Sequence, residues 1–418
     1  MAAGSTTRGR RRLGPDFRRL WTAGTISALG DGISLAAGPL LVAARTNSPV
    51  LVAGAAFLQE LPWLLFSLPA GAYVDRLDRR RLLVAVNLLR AVAIGGLSLA
   101  VATGAAALPV IYLLLFVLGL GDTLALNASG ALLPSLVGEP DLVVANARLY
   151  GAQTLCAQLL GPPAGAALFV LAPAAPFGLD AASFVLAALL ITRIVARPAA
   201  AADHRVTQLR HEIREGLGWL RQHRALRLVA VCICVMNLTF GGTMAVYVLY
   251  ARLQLGLGAQ GFGLLLSVSA VGGLAGTRLA APLQLRFGTG ALLRAGLLVE
   301  AATQLVLGLA TSPWVAGAAM LAFGVHATVW TVVTVSQRQS AVPPELRGRI
   351  NGVYFLFSAG GMAVGSLLGG LVAHALGIAA PYLLAAAVVA LLAAGTWRAF
   401  GTPGQGWGPP AGLAGVTR

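Results

Sequence analysis

The sequence predicts an all-α integral membrane protein, with twelve transmembrane helices in two pseudo-symmetric six-helix bundles. Three observations predict it. Of 418 residues, 57% are apolar and only 11% charged, with a mean hydropathy of +0.81. A soluble chain of this length would carry far more charge on its surface. Apolar runs of about 20 residues, the length that crosses a bilayer as a helix, recur twelve times. Short patterns also repeat at an offset close to half the chain.

Taken in order, residues 1–20 form a polar tail with Arg8, Arg10, Arg11, Arg12, Arg18 and Arg19. Its Arg-Arg-Arg-Leu run ahead of an apolar stretch is similar to a twin-arginine export signal. Asp31 interrupts the apolar part and no small-residue cleavage site follows, so the tail is expected to stay cytoplasmic. Spans near 21–44, 50–74, 82–102, 108–132, 143–172 and 175–196 make an N-terminal bundle, 21–196. Residues 197–227 break the pattern with a dense run of charge. Within it Ile213, Leu217 and Leu220 recur at helical spacing beside Trp219, which predicts an amphipathic helix on the inner membrane face. His204, His211 and His223 share no helical face there, which argues against a metal site. Spans near 228–251, 261–284, 291–311, 313–337, 349–374 and 378–399 make a C-terminal bundle, 228–399, before a Gly- and Pro-rich tail, 400–418. An even number of spans places both termini on one side.

The halves resemble one another. Ala44-Arg45 recurs as Ala251-Arg252, and Arg76 followed by Leu82-Leu83 recurs as Arg286 followed by Leu292-Leu293. Asn146 precedes Gly165 by the same interval that separates Asn351 from Gly370. A near-constant offset points to a duplicated six-helix unit, the pattern of transporters whose sites lie between repeats.

The net charge of +16 comes with thirty basic residues, all arginine. Only Arg45 and Arg252 fall in segments expected outside. That asymmetry is a topology signal, and its electrostatic partner is the anionic inner leaflet rather than nucleic acid. Without lysine the chain has no P-loop and forms no retinal or pyridoxal Schiff base, so uphill work needs an ion gradient or a separate ATPase. Cys156, Cys232 and Cys234 lie in apolar runs without metal spacing or a disulfide framework. No enzyme activity and no cofactor are expected.

The densest motif is Gly71-Ala72-Tyr73-Val74-Asp75-Arg76-Leu77-Asp78-Arg79-Arg80-Arg81, between two apolar runs. Its four arginines mark the cytoplasmic end of a tight hairpin. Gly71 would admit a neighbouring helix, and Asp75, one turn on, suits a cation or a helix N-terminus. A plain stop-transfer loop would not need that spacing. Other notable stretches are Phe17-Arg18-Arg19-Leu20-Trp21, Gly30-Asp31-Gly32, Leu133-Pro134-Ser135-Leu136-Val137, Ala145-Asn146-Ala147 and Arg347-Gly348-Arg349.

On these residues the chain resembles the major facilitator superfamily over nearly its whole length, and within it the branch of enterobactin and macrolide exporters. Asp78 departs from the glycine common at its place in the motif. The resemblance implies that the Gly71–Arg81 loop, with Asp75, Arg76, Arg79 and Arg80, meets the start of the eleventh span at Arg347 and Arg349, locking a cytoplasmic gate. Gly161-Pro162-Pro163-Ala164-Gly165 in the fifth span resembles the Gly-Pro motif of proton-linked antiporters, with Ala157 in place of a preceding glycine. Independently of the family, the prolines remove backbone donors and the glycines permit close crossing, so a bend is expected. The fourth-span arginine common in drug–proton antiporters is absent, and Arg148 lies beyond that span.

Ionisable groups deep in a span are functional candidates by default. Asp31 lies about ten residues, roughly 15 Å at 1.5 Å per residue, into the first span. Glu60, Asp122 and Glu300 are similarly deep in the second, fourth and ninth. The resemblance places the first, fourth, seventh and tenth spans around the cavity, which ranks Asp31 and Asp122 first. A carboxyl group held away from water can exchange protons near neutral pH. Each has a structural alternative: a hydrogen bond at a Gly-Asp-Gly kink for Asp31, service to the backbone broken at Leu61-Pro62 for Glu60. Glu300 is expected to pair with Arg294 or Arg278. His326 and Trp330, four apart, share a face of the tenth span and are candidates for substrate contact, with a satisfied core histidine as the alternative. Asn127, Gln153, Gln158, Asn237 and Gln304 are weaker candidates, since amides also hold helices together.

The expected function is proton-coupled export of a small amphiphilic compound by a monomer in the cell membrane of a bacterium, with membrane lipids as its surroundings. An importer on the same fold and a non-transporting sensor or assembly partner remain open alternatives.

Overall fold

A computed structural model describes residues 13–74, 77–138, 141–195, 209–343 and 346–401. The chain folds into α1 (Pro15–Arg45), α2 (Pro49–Val74), α3 (Arg79–Ala102), α4 (Leu108–Leu136), α5 (Leu142–Gln153), a π-helical turn (Thr154–Leu160), α6 (Gly161–Leu171) and α7 (Ala175–Thr192). After the linker helix α8 (Leu209–Gln222) come α9 (Arg224–Ala245), α10 (Tyr247–Leu253), α11 (Ala259–Leu309), α12 (Pro313–Ala341), α13 (Arg347–Leu376) and α14 (Ala380–Gly401). Among the described residues 11 helical stretches are long and apolar enough to cross a membrane. One of them, the 51-residue α11, is broken at Gly288, whose φ of 75° and ψ of 163° only glycine adopts readily. Its two arms cross separately, so the crossings number twelve. The link expected between spans 261–284 and 291–311 is thus reduced to a break at one glycine.

Lipid explains the composition of the outer faces. Leu99, Leu113, Val170, Leu171 and Leu391 stand exposed, where a soluble protein would place charge. Inside, packing depends on small residues. A Cβ on Gly32 would overlap the backbone of Cys156 and Ala157, one on Gly161 would overlap Gly32, and one on Gly165 would overlap the carbonyl of Ile33. The α9–α13 crossing is built in the same way, with Gly365 against Leu238 and Gly369 against Gly242. α1 runs as one helix through Gly30-Asp31-Gly32, so these glycines serve contact rather than a kink. The expected bend in the fifth crossing is a π-helical turn immediately before Pro162-Pro163.

The apolar core divides along the molecule. At the end away from the described termini, one cluster joins both halves: Leu41, Val42 and Phe184 pack with Val248, Tyr250, Phe262 and Tyr382. Arg252 crosses here, donating to the carbonyl of Ala43 (2.8 Å) and to Asn47 Oδ1 (2.5 Å). At the other end the halves keep separate cores, around Phe17, Leu83 and Leu132 in one and Leu226, Trp330 and Phe400 in the other.

Two expectations change. α1 begins at Pro15, inside the expected tail, because Phe17 and Leu20 are needed in the N-half core. The amphipathic α8 spends its apolar side on protein rather than on lipid: Leu220 is buried in the C-half core and Gly216 packs against Val353. An ion pair between Glu215 and Arg349 (2.6 Å) fixes it to α13.

Residues 1–12, Asp75, Arg76, Glu139, Pro140, 196–208, Pro344, Glu345 and 402–418 lie outside the described residues. Of the seven expected gate residues, Asp75 and Arg76 therefore lie outside them. Gly71 lies in the last turns of α2. Asp78 is the N-cap of α3, accepting from the amide of Arg81 (3.0 Å), which gives the departure from glycine a local purpose. Arg79 donates to the carbonyl of Ala131 (2.9 Å) and Arg80 to that of Thr192 (2.5 Å), both within the N half. Arg347 Nε turns back to the carbonyl of Val342 (3.2 Å).

Candidate functional site

The site grows from an arginine that the sequence analysis did not single out. Arg90 lies midway along α3 and is buried. Its Nη2 donates to Asp31 Oδ1 on α1 (2.6 Å) and stands 2.6 Å from Asp122 Oδ1 on α4. Gly121, next to Asp122, leaves room for the aliphatic stem, since a Cβ there would strike Arg90 Cγ and Cδ. The guanidinium carbon sits 3.9 Å from the ring centre of Phe184 on α7, a cation–π contact.

Behind this pair is a third acid, Asp180 on α7, which is fully buried. It accepts hydrogen bonds from Ser34 on α1 and from Ser183 one turn on. Gly30 is glycine because a Cβ would collide with Asp180 Oδ1 and Ser183 Oγ. The Gly-Asp-Gly stretch thus makes room for one carboxylate, supplies another and lets α1 cross the π-turn. Sequence reading singled out Asp31 and Asp122 and missed Arg90, Asp180, Ser34 and Ser183. Asp180 had the signal used for the others, an acid inside an apolar run.

Asp31 and Asp122 keep 29% and 23% of their side-chain surface open, against 7% for Arg90. Two acids are therefore accessible while the cation and the third acid are sealed. Glu60 makes no hydrogen bond or ion pair among the described residues but lies within electrostatic reach of Asp122. Gly119 of α4 packs on the carbonyl of Gln59 and on Pro62, fixing the stretch of α2 that carries Glu60.

The C half holds a second polar centre. Glu300 on α11 pairs with His326 on α12 (3.1 Å), and Gln304 donates to its other oxygen (3.4 Å). The expected partners, Arg294 and Arg278, do not pair with it; Arg294 lies over Trp397 instead. Glu300 faces α12, across a narrow crossing where Gly296 meets the rings of Trp330 and His326. His326 and Trp330 do share a face, with ring centres 6.1 Å apart. Both line a cavity of about 610 Å³ between α9, α11, α12 and α13. Asn237 is on its wall too, its amide held by the carbonyl of Ile233. No group of three or more metal-ligating side chains is found among the described residues.

The halves meet at the Gly-Pro motif. The two prolines remove two amide donors from this turn, and the carbonyl of Leu159 accepts from Ser267 Oγ of α11 (2.8 Å). Gly263, one turn earlier on α11, packs on Pro162 and Ala166.

The comparisons agree with this architecture. A family described as transmembrane secretion effector matches residues 14–401. An uncharacterized MFS-type transporter of Sinorhizobium fredii is 27% identical over 369 residues, 86% of this chain and 88% of that one. Macrolide efflux protein A of Streptococcus pyogenes is 27% identical over 217 residues, 50% of this chain and 52% of the relative. Uncharacterized MFS-type transporters of Mycobacterium bovis and Mycobacterium tuberculosis are 36% identical, but the match spans 32% of this chain and 30% of theirs. Among solved structures, a mutant of the nucleoside transporter NupG superposes with a TM-score of 0.75 at 12% identity, covering 93% of this chain and all of that one. A bacterial homologue of the iron transporter ferroportin in an inward-facing state gives 0.74 at 17% identity, covering 94% of this chain and all of that one. With the family model spanning every crossing and the solved transporters sharing the fold, the chain belongs to the transmembrane secretion effector family of major facilitator transporters.

Proposed function

We propose that this transporter is a proton-coupled exporter of a small amphiphilic compound, working by alternating access. The observation that carries the proposal is the N-half cluster, one guanidinium among three carboxylates. One cation cannot balance three anions, and an uncompensated buried charge costs several kcal/mol even after relaxation. Protons taken up from water reaching Asp31 and Asp122 restore the balance. Protonation of either acid weakens its ion pair with Arg90 and loosens α1 or α4 from α3. Loss of the proton re-forms the pair.

Such a local change moves the whole protein only if a bistable element reads it. The halves provide one, joined at one end and separately cored at the other. The loop between α2 and α3, with Gly71, Asp75, Arg76, Arg79 and Arg80, is proposed to gate the separated end against Arg347 and Arg349 of α13. The weighting of arginines supports cytoplasmic termini in the cell membrane. The efflux direction draws support from the relative named macrolide efflux protein A.

The test is transport of a lipophilic dye and a macrolide in everted membrane vesicles. Accumulation driven by a proton gradient and collapsed by an uncoupler is expected. Flux indifferent to the uncoupler removes the proton from the reading, and substrate-driven uptake by right-side-out vesicles reverses its direction.

A further inference from the structure

The C-half cavity has a donor excess that its own walls do not satisfy. Trp330 is 6% exposed, and its Nε1, which can only donate, has no hydrogen-bond partner. Arg338, two turns further along α12, has a buried Nε in the same condition and meets no carboxylate among the described residues. Both residues line the cavity. Gln304 Oε1, an unpartnered acceptor of the region, lies off its wall. The wall's carboxylate, Glu300, is already engaged by His326 and Gln304.

The rest of the lining mixes aromatic rings with aliphatic side chains such as Ile233 and Met236 and small polar ones such as Asn237, Thr331 and Asn351. Phe240 and Phe323 stack at 5.1 Å with 7° between their planes, and Arg338 is held 4.5 Å over the ring of Tyr354. Phe355 extends this surface to Trp63 of the N half (5.9 Å), so an occupant would touch a residue pair joining both halves. Along α12, Trp330 and Arg338 are about 12 Å apart at 1.5 Å per residue. That spacing suits an elongated molecule with an acidic group at the Arg338 end.

We infer that this cavity is a binding site for organic anions, an aromatic or apolar body lying against Phe240, Phe323 and Trp330 with its carboxylate, sulfonate or phosphate on Arg338. The inference rests on the transport reading and names its substrate class. The Arg338 guanidinium on the wall meets no carboxylate among the described residues, and an acidic group on a ligand supplies that counter-charge. A charge-assisted bond to the guanidinium is roughly twice as strong as a neutral one, which favours the anion over its uncharged analogue.

The test uses the full chain in lipid nanodiscs, equilibrium dialysis, empty nanodiscs as blank, and three probes sharing one ring system: naphthoate, naphthylmethanol and naphthylmethylammonium. Naphthoate is expected to bind about tenfold or more tighter than the ammonium probe. Arg338→Gln should erase that preference while naphthylmethanol still binds, and Arg338→Lys should keep part of it. If naphthoate binds no tighter than the ammonium probe, or its preference survives Arg338→Gln, the inference is overturned. Should Arg338→Gln lose naphthylmethanol as well, Arg338→Lys decides: a retained preference upholds the site and a vanished one rejects it. No proton gradient enters the measurement, so failure of coupled efflux leaves the ranking intact and failure of the ranking leaves efflux untouched.

Discussion

The two halves share a frame and differ in charge. Arg90 on the third crossing and Glu300 on the ninth are 210 residues apart, the offset that separates the Arg76 and Arg286 motifs. Asp122 and His326, their partners on the fourth and tenth crossings, are 204 apart. A glycine makes room in each, Gly121 for the arginine stem and Gly296 for the His326 and Trp330 rings. One half therefore places a cation among acids where the other places an acid beside a histidine. The scaffold tolerates this inversion because helix packing fixes the positions, while the sign of the charge is free wherever the partner changes with it. The near-constant offset relates two buried polar positions, and we read one as the coupling cluster and the other as the edge of a binding cavity.

The comparison is broken most severely by removing the cation. Arg90→Leu strips Asp31 and Asp122 of their shared counter-ion and is expected to cost about 3–5 kcal/mol and to abolish uncoupler-sensitive efflux. Glu300→Gln keeps a hydrogen-bonding oxygen toward His326, so it should cost about 1–3 kcal/mol and leave flux uncoupler-sensitive. Thermal unfolding of the purified proteins and vesicle transport measure both. Equal loss of coupling in the two variants would end the division of labour between halves.

Asp31→Asn and Asp122→Asn sharpen the same point with less damage to the fold. Each should insert normally and lose proton-driven efflux while still exchanging substrate down its own gradient. Parental transport by both variants across the physiological pH range would remove these acids from the coupling step.

The glycine crossings test the shared frame instead of the divergent chemistry. Gly165→Ala and Gly369→Ala each place a methyl group against backbone, of Ile33 and of Gly242. Each is expected to cost about 1–3 kcal/mol in unfolding, by a similar amount in the two halves. A large disparity would show that the π-turn beside Pro162 gives the N half slack that the uninterrupted α13 lacks.

The smallest effect is expected at the junction. Ser267→Ala leaves the Leu159 carbonyl without its donor, at about 1 kcal/mol. If that bond favours one arrangement of the halves, spin labels on the separated ends of α1 and α13 will report a shifted distance distribution. An unchanged distribution would make Ser267 a contact common to both arrangements.

By itself the sequence determined the membrane and the twelve crossings, because these follow from run lengths and charge placement, properties of order along the chain. It also offered Asp31, Asp122, Glu60, Glu300, His326 and Trp330, since an ionisable or polar group inside an apolar run is visible without a fold. Partnership was the part left to tertiary structure. Arg90 reaches acids 59 and 32 positions away, and Glu300 a histidine 26 away, because glycine-lined crossings bring α1, α4 and α12 to those depths and rotations. The same packing placed α8 on protein rather than lipid, since the start of α13 offered Val353 to Gly216 and Arg349 to Glu215. Period and composition say which residues must avoid water. Only the rotation of each helix about its axis, settled when small residues seat against backbone, says which buried charge meets which.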